Sequence, residues 1–485
     1  MGAIRQARSL ILPAMTLLAG CVVGPDYHAP TVALTPNYLA APSIDSHAAN
    51  AGWWQAFHDP LLVTLIEQAR IGNTDLEQAR ARVLRSRAAA KAVGAALLPV
   101  INGTGDVDRI GQSLDTAIGQ VTTELGLPRD YSEYSVGGAA SWELDFFGGL
   151  RRGREAAHAE AAASRADVAA MAISIDAETA DAYLTLRTLQ SRLEVTGKEE
   201  KNEALLVDLV RQRVGQGVSP DRDLNRASGA LEGVRASMAP LRASIEAQLN
   251  RLDVLLGEQP GRNRSLLIEA APIPDAPVPA GSAAPADLLR RRPDVIAAER
   301  RVAASNAQIG QAIAEYYPRI SLSGLVGVAS LTTGDLFTRD ALQASGGAGL
   351  RWRLFDFGRI DAEVAAARGR RAEALAAWRG SVLSAAEDVE TALARLAEAH
   401  RERASLEAQV AALTKAREQA RQAYESGVTG LINVTDADRQ LLAASDHLVQ
   451  ARGDEARQAV FAYRALGGGW QVDAAASAVA YVRDR

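Results

Sequence analysis

Followed by the spacing of its apolar side chains, the chain changes period several times, and it does so twice in the same order. Residues of about 60–97 and about 286–316 carry apolar positions at helical spacing among good helix formers, and Pro99 and Pro318 stop them. Strand-like stretches follow, at about 100–112 and 134–146 and again at about 320–330 and 344–357. Ile320-Ser-Leu322-Ser and Leu350-Arg-Trp352-Arg-Leu354 set apolar and polar side chains on opposite faces. Each stretch is roughly ten to fourteen residues, enough for a tilted strand to cross a bilayer. The connections, with Gly119, Gly126, Pro128 and Gly334, predict exposed tips. Two long runs come next, at about 150–214 and 359–426, with no proline and few glycines. Each predicts a helix about 100 Å long. Apolar residues spaced by three and four, such as Tyr183, Leu186, Leu189, Leu193 and Leu206, Val210, Val214, require such rods to pack against other helices. Gly215, Gly217 and Pro220 end the first rod, Gly427 and Gly430 the second, and return helices follow at about 221–256 and 431–466.

The two halves also align residue by residue. Asp75-Leu-Glu-Gln-Ala-Arg-Ala-Arg-Val83 matches Asp294-Val-Ile-Ala-Ala-Glu-Arg-Arg-Val302, and Trp142-Glu-Leu-Asp-Phe-Phe-Gly148 matches Trp352-Arg-Leu-Phe-Asp-Phe-Gly358. Gly217-Val218-Ser219 falls on Gly427-Val428-Thr429, and Leu256-Gly257 on Leu466-Gly467. This predicts a tandem repeat, with units at 61–270 and 287–470 joined by a Pro-rich linker at 271–286. Four membrane-length strands cannot close a barrel, and an open edge in hydrocarbon leaves backbone groups unpaired at several kcal/mol each. Two copies would give about eight strands with a filled interior, whereas three would give about twelve with a lumen. The expected class is therefore an α+β membrane protein, a trimeric 12-stranded β-barrel with four strands per chain, joined to long packed helices. Gly103, Gly105, Gly137, Gly138, Gly324, Gly346 and Gly347 permit close strand packing, and Asp106, Asp108, Arg351 and Arg353 would face water inside. Hairpins packed on a soluble core are the alternative for the same alternation.

Composition sharpens this reading. Hydrophobic residues make up 48% of the 485 residues and aromatics only 5%, which favours long helices over a Phe-rich core. The net charge of -5 is spread with both signs interspersed, unlike a nucleic-acid footprint. Arg5, Arg8 and the apolar run Leu10 to Ala19 make residues 1–20 a secretory signal, too short to span a bilayer in the mature chain. It ends on Cys21, the sole cysteine, so a disulfide within the chain is impossible. Leu18-Ala19-Gly20-Cys21 resembles a bacterial lipobox, whose cysteine is acylated, and Val22 in place of Asp favours outer-membrane sorting. A cleaved signal with a chance cysteine is the other reading. Residues 21–60 would be a lipid-anchored extended segment and 471–485 a tail. The histidines, His28, His47, His58, His158, His400 and His447, are scattered, and no metal pair, cysteine cluster or phosphate loop is present in the sequence. No enzyme, cofactor or metal site is expected. Trp53 and Trp54 suit either a ligand site or packing.

Cys21 followed by Gly24-Pro25-Asp26-Tyr27, Trp53-Trp54 with Phe57 and Asp59-Pro60, and Arg292-Pro293-Asp294 with Ala298-Glu299-Arg300 together resemble the lipoprotein branch of the TolC-like outer-membrane efflux family. So do Ile309-Gly310, Tyr317-Pro318-Arg319-Ile320 and Phe355-Asp356-Phe357-Gly358. The resemblance implies a homotrimer whose twelve-stranded β-barrel is continued by a long α-helical barrel, with a mixed equatorial domain, docked to a periplasmic adaptor and an inner-membrane pump of the resistance-nodulation-division type. The function it implies is a passive exit duct for small molecules, in the outer membrane and extending into the periplasm. A secretion duct for polypeptides and a non-conducting coiled-coil scaffold are the alternatives. Gly217, Val218, Ser219, Gly427, Val428 and Thr429 would be adaptor-docking tips or simply turns. Ile432 and Asp436, four apart on one helix face, would form apolar and acidic rings of a periplasmic gate, where three converging carboxylates repel one another and attract cations. An aspartate that merely favours the helix dipole is the competing view of Asp436. Tyr424 and Asp221 would hold the closed state, although Thr429 departs from the arginine of some relatives.

Overall fold

The structure is a computed structural model, which describes residues 22–32, 44–45, 52–277, 281–282 and 291–470. Cys21, the signal segment and the tail 471–485 lie outside the described residues. The elements run α1 (Pro60–Gly72), α2 (Thr74–Ala95), β1 (Val100–Gly111), α3 (Ala117–Glu124), β2 (Asp130–Leu144), α4 (Gly149–Gly215), α5 (Asp221–Leu255), α6 (Pro293–Ala314), β3 (Arg319–Ser330), β4 (Leu342–Arg351), α7 (Arg359–Glu425) and α8 (Leu431–Ala465). The long helices α4 and α7 each have 67 residues, and α5 and α8 each have 35. The described residues fall into two compact units, one drawn from 22–30, 84–163 and 299–377, the other from the remaining described residues.

The first unit holds an antiparallel sheet in the order β1-β2-β3-β4. Its register sorts the side chains by face, because residues directly opposite each other point the same way. Ile101, Val107, Tyr134, Val136, Trp142, Leu322, Val326, Val328, Leu342 and Leu350 fall on one face, with Arg109, Asp130, Ser132 and Ser330 as polar exceptions toward the β1–β2 connection. Asn102, Thr104, Asp106, Asp108, Glu133, Ser135, Ser141, Ser321, Ser323, Ser345 and Arg351 fall on the other, with Val100, Ile110 and Leu325 as apolar exceptions. Gly137 opposes Gly327, and a Cβ on Gly327 would lie 2.6 Å from the Val136 carbonyl oxygen, so β2 and β3 close up only with glycine there. Among the described residues, β1 and β4 each have one edge without a strand partner.

The two hairpins are tied at their base in the same way. The Trp142 indole donates to the Leu97 carbonyl at 2.9 Å, and the Trp352 indole donates to the Tyr316 carbonyl at 2.9 Å, each two residues ahead of a proline. The Asp145 carboxylate accepts from the amides of Leu150 and Arg151, and that of Asp356 accepts from Gly358 and Ile360, so each aspartate satisfies orphan donors at the start of a long helix. This capping explains why β4 ends at Arg351 rather than running to Phe357. Residues 356–358 form the helix entry, with Phe357 itself at a φ of 54°. The connection between β1 and β2, expected as an exposed tip, is mostly exposed and contains α3, capped by the Thr116 hydroxyl accepting from the Gly119 amide at 3.1 Å. In the same unit the Gly24-Pro25-Asp26-Tyr27 segment is pinned at each residue. Tyr27 donates to Glu299 at 2.8 Å, Asp26 pairs with Arg152 at 2.8 Å, Asn306 donates to the Pro25 carbonyl at 2.9 Å, and Gly24 lies against Gly310, where a Cβ would come within 2.3 Å of backbone.

The second unit is built round the Trp53-Trp54 cluster. Trp53 stacks on Tyr463 at 5.5 Å, and both tryptophans with Phe57, Leu62, Leu65 and Ile66 pack on Leu184, Leu186, Leu249, Leu252, Val389 and Val460. Each large apolar side chain so buried contributes about 1.5–3 kcal/mol. The tryptophans are thus core. Arg70 lies 4.4 Å over the Trp54 ring and makes a two-pronged pair with buried Asp176 at 2.8 and 2.7 Å. Arg292 bonds Asp294 at 2.7 Å and Asp388 at 3.0 Å and donates to the Ala465 carbonyl at 3.1 Å, closing the negative end of α8. The stretch read as one helix over about 60–97 is two. Asn73 donates to the Leu255 carbonyl at 2.9 Å and accepts from the amides of Asp75 and Leu76, ending α1 and capping α2. Asp59 caps α1 through the Leu61 and Leu62 amides at 2.9 and 3.1 Å and accepts from the Tyr183 hydroxyl at 2.5 Å. Asp59→Ala removes the cap and strands a buried hydroxyl, and denaturant unfolding is expected to register a loss of about 2–3 kcal/mol. Wild-type stability in that variant would show the cap to be idle.

Candidate functional site

The two reversals between long and return helices, all within the second unit, are near copies. At the first, Gly217 takes a left-handed φ of 74°, its amide bonds the Val214 carbonyl at 2.9 Å, and the Val218 amide reaches back to Arg213 at 2.9 Å. At the second, Gly427 has a φ of 75°, its amide bonds Tyr424 at 3.0 Å, and the Val428 amide reaches Ala423 at 2.9 Å. These are paired six-to-one and five-to-two bonds that satisfy the last helical carbonyls, and they need a residue free of Cβ strain at the left-handed position. In that motif the residue after the glycine usually packs back on the helix. Here it does not: Val218 is 64% exposed and Val428 78%. Ser219 and Thr429 follow, half-buried, with their amides 3.3 Å from the same carbonyls.

Below the reversals, Leu206, Val207, Val210, Ala227, Leu231, Tyr424, Leu431 and Val434 form a second apolar cluster. Tyr424 is buried in it, with the Arg213 guanidinium 4.5 Å over its ring and donating to its carbonyl at 3.2 Å. Asp221 stands exposed in the first turn of α5, where negative charge suits the helix dipole, and among the described residues no bond joins it to Tyr424. Ile432 is 52% exposed on α8. One turn on, Asp436 bonds Arg439 and accepts from the Gln440 amide at 2.7 Å. Ile432 and Asp436 are thus brought to one outward stripe of α8, while Tyr424 is turned into its own protomer.

The structure adds three residues that the sequence reading passed over. Glu199 and Glu203 on α4 and Asp438 on α8 are buried, with one oxygen of each within 4.8 Å of the others. Arg417 on α7 pairs with Asp438 at 2.6 Å. Burial first, then the nearby Asp438 and Glu199, push the Glu203 carboxyl up to about 7, and burial likewise raises Glu199. Since Glu203 binds its proton more tightly folded than unfolded, the stability it contributes is present at low pH and is lost as pH rises from about 4.5 through about 7. In metal-free buffer, Glu203→Gln is expected to raise the melting temperature at pH 8 and leave it unchanged at pH 4.5. Equal melting shifts at the two pH values would rule out a strained carboxylate.

A four-stranded antiparallel sheet and two long helices, each with a returning partner, are the elements of TolC-like outer-membrane channels. The outer membrane efflux protein family profile matches residues 65–258 and 284–468, and the chain belongs to that family. It is 31% identical over 487 residues to the antibiotic efflux pump outer membrane protein ArpC of Pseudomonas putida, covering 96% of each chain. It is 30% identical over 438 residues to the pyoverdine export outer membrane protein OpmQ of Pseudomonas aeruginosa, covering 90% of this chain and 91% of the relative. The solved outer-membrane channel OprN matches with a TM-score of 0.85 at 33% identity, over 93% of this chain and 100% of that one.

Proposed function

We propose that the protein is the outer-membrane channel subunit of a tripartite efflux system, a passive exit duct for small molecules. The observation that carries this reading is the four-stranded sheet with one apolar face, one polar face and two bare edges. In hydrocarbon such edges must be covered, and three copies joined edge to edge give about twelve strands with the apolar face outward and the polar face lining water. Asp106, Asp108 and Arg351 stand on the polar face, as a lumen requires. The equal lengths of α4 and α7 and of α5 and α8 support a duplicated unit, so that three chains supply six similar pairs of helices to the tunnel wall. Cys21 is the acylation site that adds a lipid anchor in the outer membrane.

The periplasmic gate is made of Ile432 and Asp436, with Tyr424 and Asp221 holding the helix ends near it. Gly217-Val218-Ser219 and Gly427-Val428-Thr429 are the adaptor-docking tips, because two exposed valines on rigid glycine turns offer apolar surface that the fold itself leaves uncovered. The adaptor would in turn join the duct to an inner-membrane pump of the resistance-nodulation-division type.

In planar bilayers the purified protein is expected to conduct as a single-sized channel, whereas a scaffold would leave the membrane sealed. Asp436→Ala is expected to raise that conductance and weaken its cation preference; unchanged conductance and selectivity would remove Asp436 from the gate. Val218→Asp combined with Val428→Asp should abolish efflux in cells that carry the matching adaptor and pump, with conductance kept, and full efflux by that variant would contradict docking at the tips.

A further inference from the structure

The buried acidic cluster has no part in the duct reading, and its chemistry points to a ligand of its own. Glu199 and Glu203 lie one helical turn apart on α4, and Asp438 meets them from α8. Arg417 from α7 answers Asp438 at 2.6 Å, and Asn202 donates to Glu199 at 3.3 Å. Glu203 is 5% exposed, and its Oε2 is buried without any hydrogen-bond partner. One guanidinium against three carboxyl groups leaves the cluster short of positive charge, and a buried carboxylate oxygen without a donor is an arrangement that calls for a further group.

The donor set says which group. Three carboxylate oxygens, without sulfur or imidazole, suit hard cations. Oxygens within 4.8 Å of one another are near enough to share one such ion. Glu199 and Glu203 also line a cleft of about 400 Å³ shared with Arg226, Thr435, Asp436 and Arg439, which gives an ion a route in and room for water ligands. Arg439 is engaged by Asp436, so that charge is already answered. We propose that Glu199, Glu203 and Asp438 bind one hard divalent cation of the alkaline-earth class in each protomer, tying α4 to α8 beside the helix reversals.

The site is distinct from the Asp436 ring and stands whether or not that ring gates. Calorimetric titration of the chelator-stripped, full-length protein in detergent with CaCl2, and separately with MgCl2, tests it. The expected result is saturable binding of at least one of the two ions, one per chain. Glu203→Gln, which keeps the shape and removes a buried charge, should weaken that binding by about tenfold or more, as should Glu199→Gln. Asp208→Asn, at an exposed pair with Arg211 on α4 outside the cleft, should bind as wild type. Elution of each variant at the wild-type volume verifies the fold. No saturable binding by either ion, which would leave a shared proton as the cluster's ligand, overturns the proposal. So does undiminished binding by Glu203→Gln, or binding that Asp208→Asn loses and Glu203→Gln keeps.

Discussion

The constraint on which this structure depends is the hydrogen-bonding demand of two unpaired strand edges. Among the described residues, β1 and β4 present backbone N–H and C=O groups with no strand to meet them. In water such edges are a liability, and in hydrocarbon they are prohibitive unless another chain pairs with them. Everything else in the sheet is consistent with a chain built for that pairing. Its register places nearly all large apolar side chains on one face, and glycines such as Gly137 and Gly327 let neighbouring strands approach closely.

The helical unit meets a different demand. Two helices of 67 residues would expose long apolar stripes if left alone, and the return helices cover them. The Trp53-Trp54 cluster, the Arg70–Asp176 pair and Arg292 then fasten the return helices and the linker-side segments into one core. At the reversals the packing gives out. Val218 and Val428 stay in solvent where the same turn elsewhere would fold its apolar residue back. Exposure at two equivalent places is what makes these turns candidates for recognition.

Much of the fold was legible in the sequence because long-range signals carried it. Proline-free stretches gave the long helices, and the glycine that must sit at a left-handed position marked each reversal. The strands were legible from alternation, and the register shows why: a period of two has meaning only when one face meets a different solvent from the other. What was misread turned on single side chains acting as caps. Asn73 splits a continuous apolar pattern into α1 and α2, and Asp356 ends β4 early by taking two helix-start amides, neither of which alters hydrophobic spacing. The acidic cluster was illegible for another reason. Glu199 and Glu203 read as ordinary charges on a helix face, and Asp438 joins them only once α8 has folded back along α4, a juxtaposition far apart in the chain. Of the gate residues, Ile432 and Asp436 share a stripe as their spacing required, whereas the burial of Tyr424 under Arg213 had no sequence signal.

The central claim is that the bare edges are closed by sister copies. Native mass spectrometry of the purified, detergent-solubilised protein tests it most directly. The account predicts a complex of three chains that persists on dilution, and a stable single chain would contradict it.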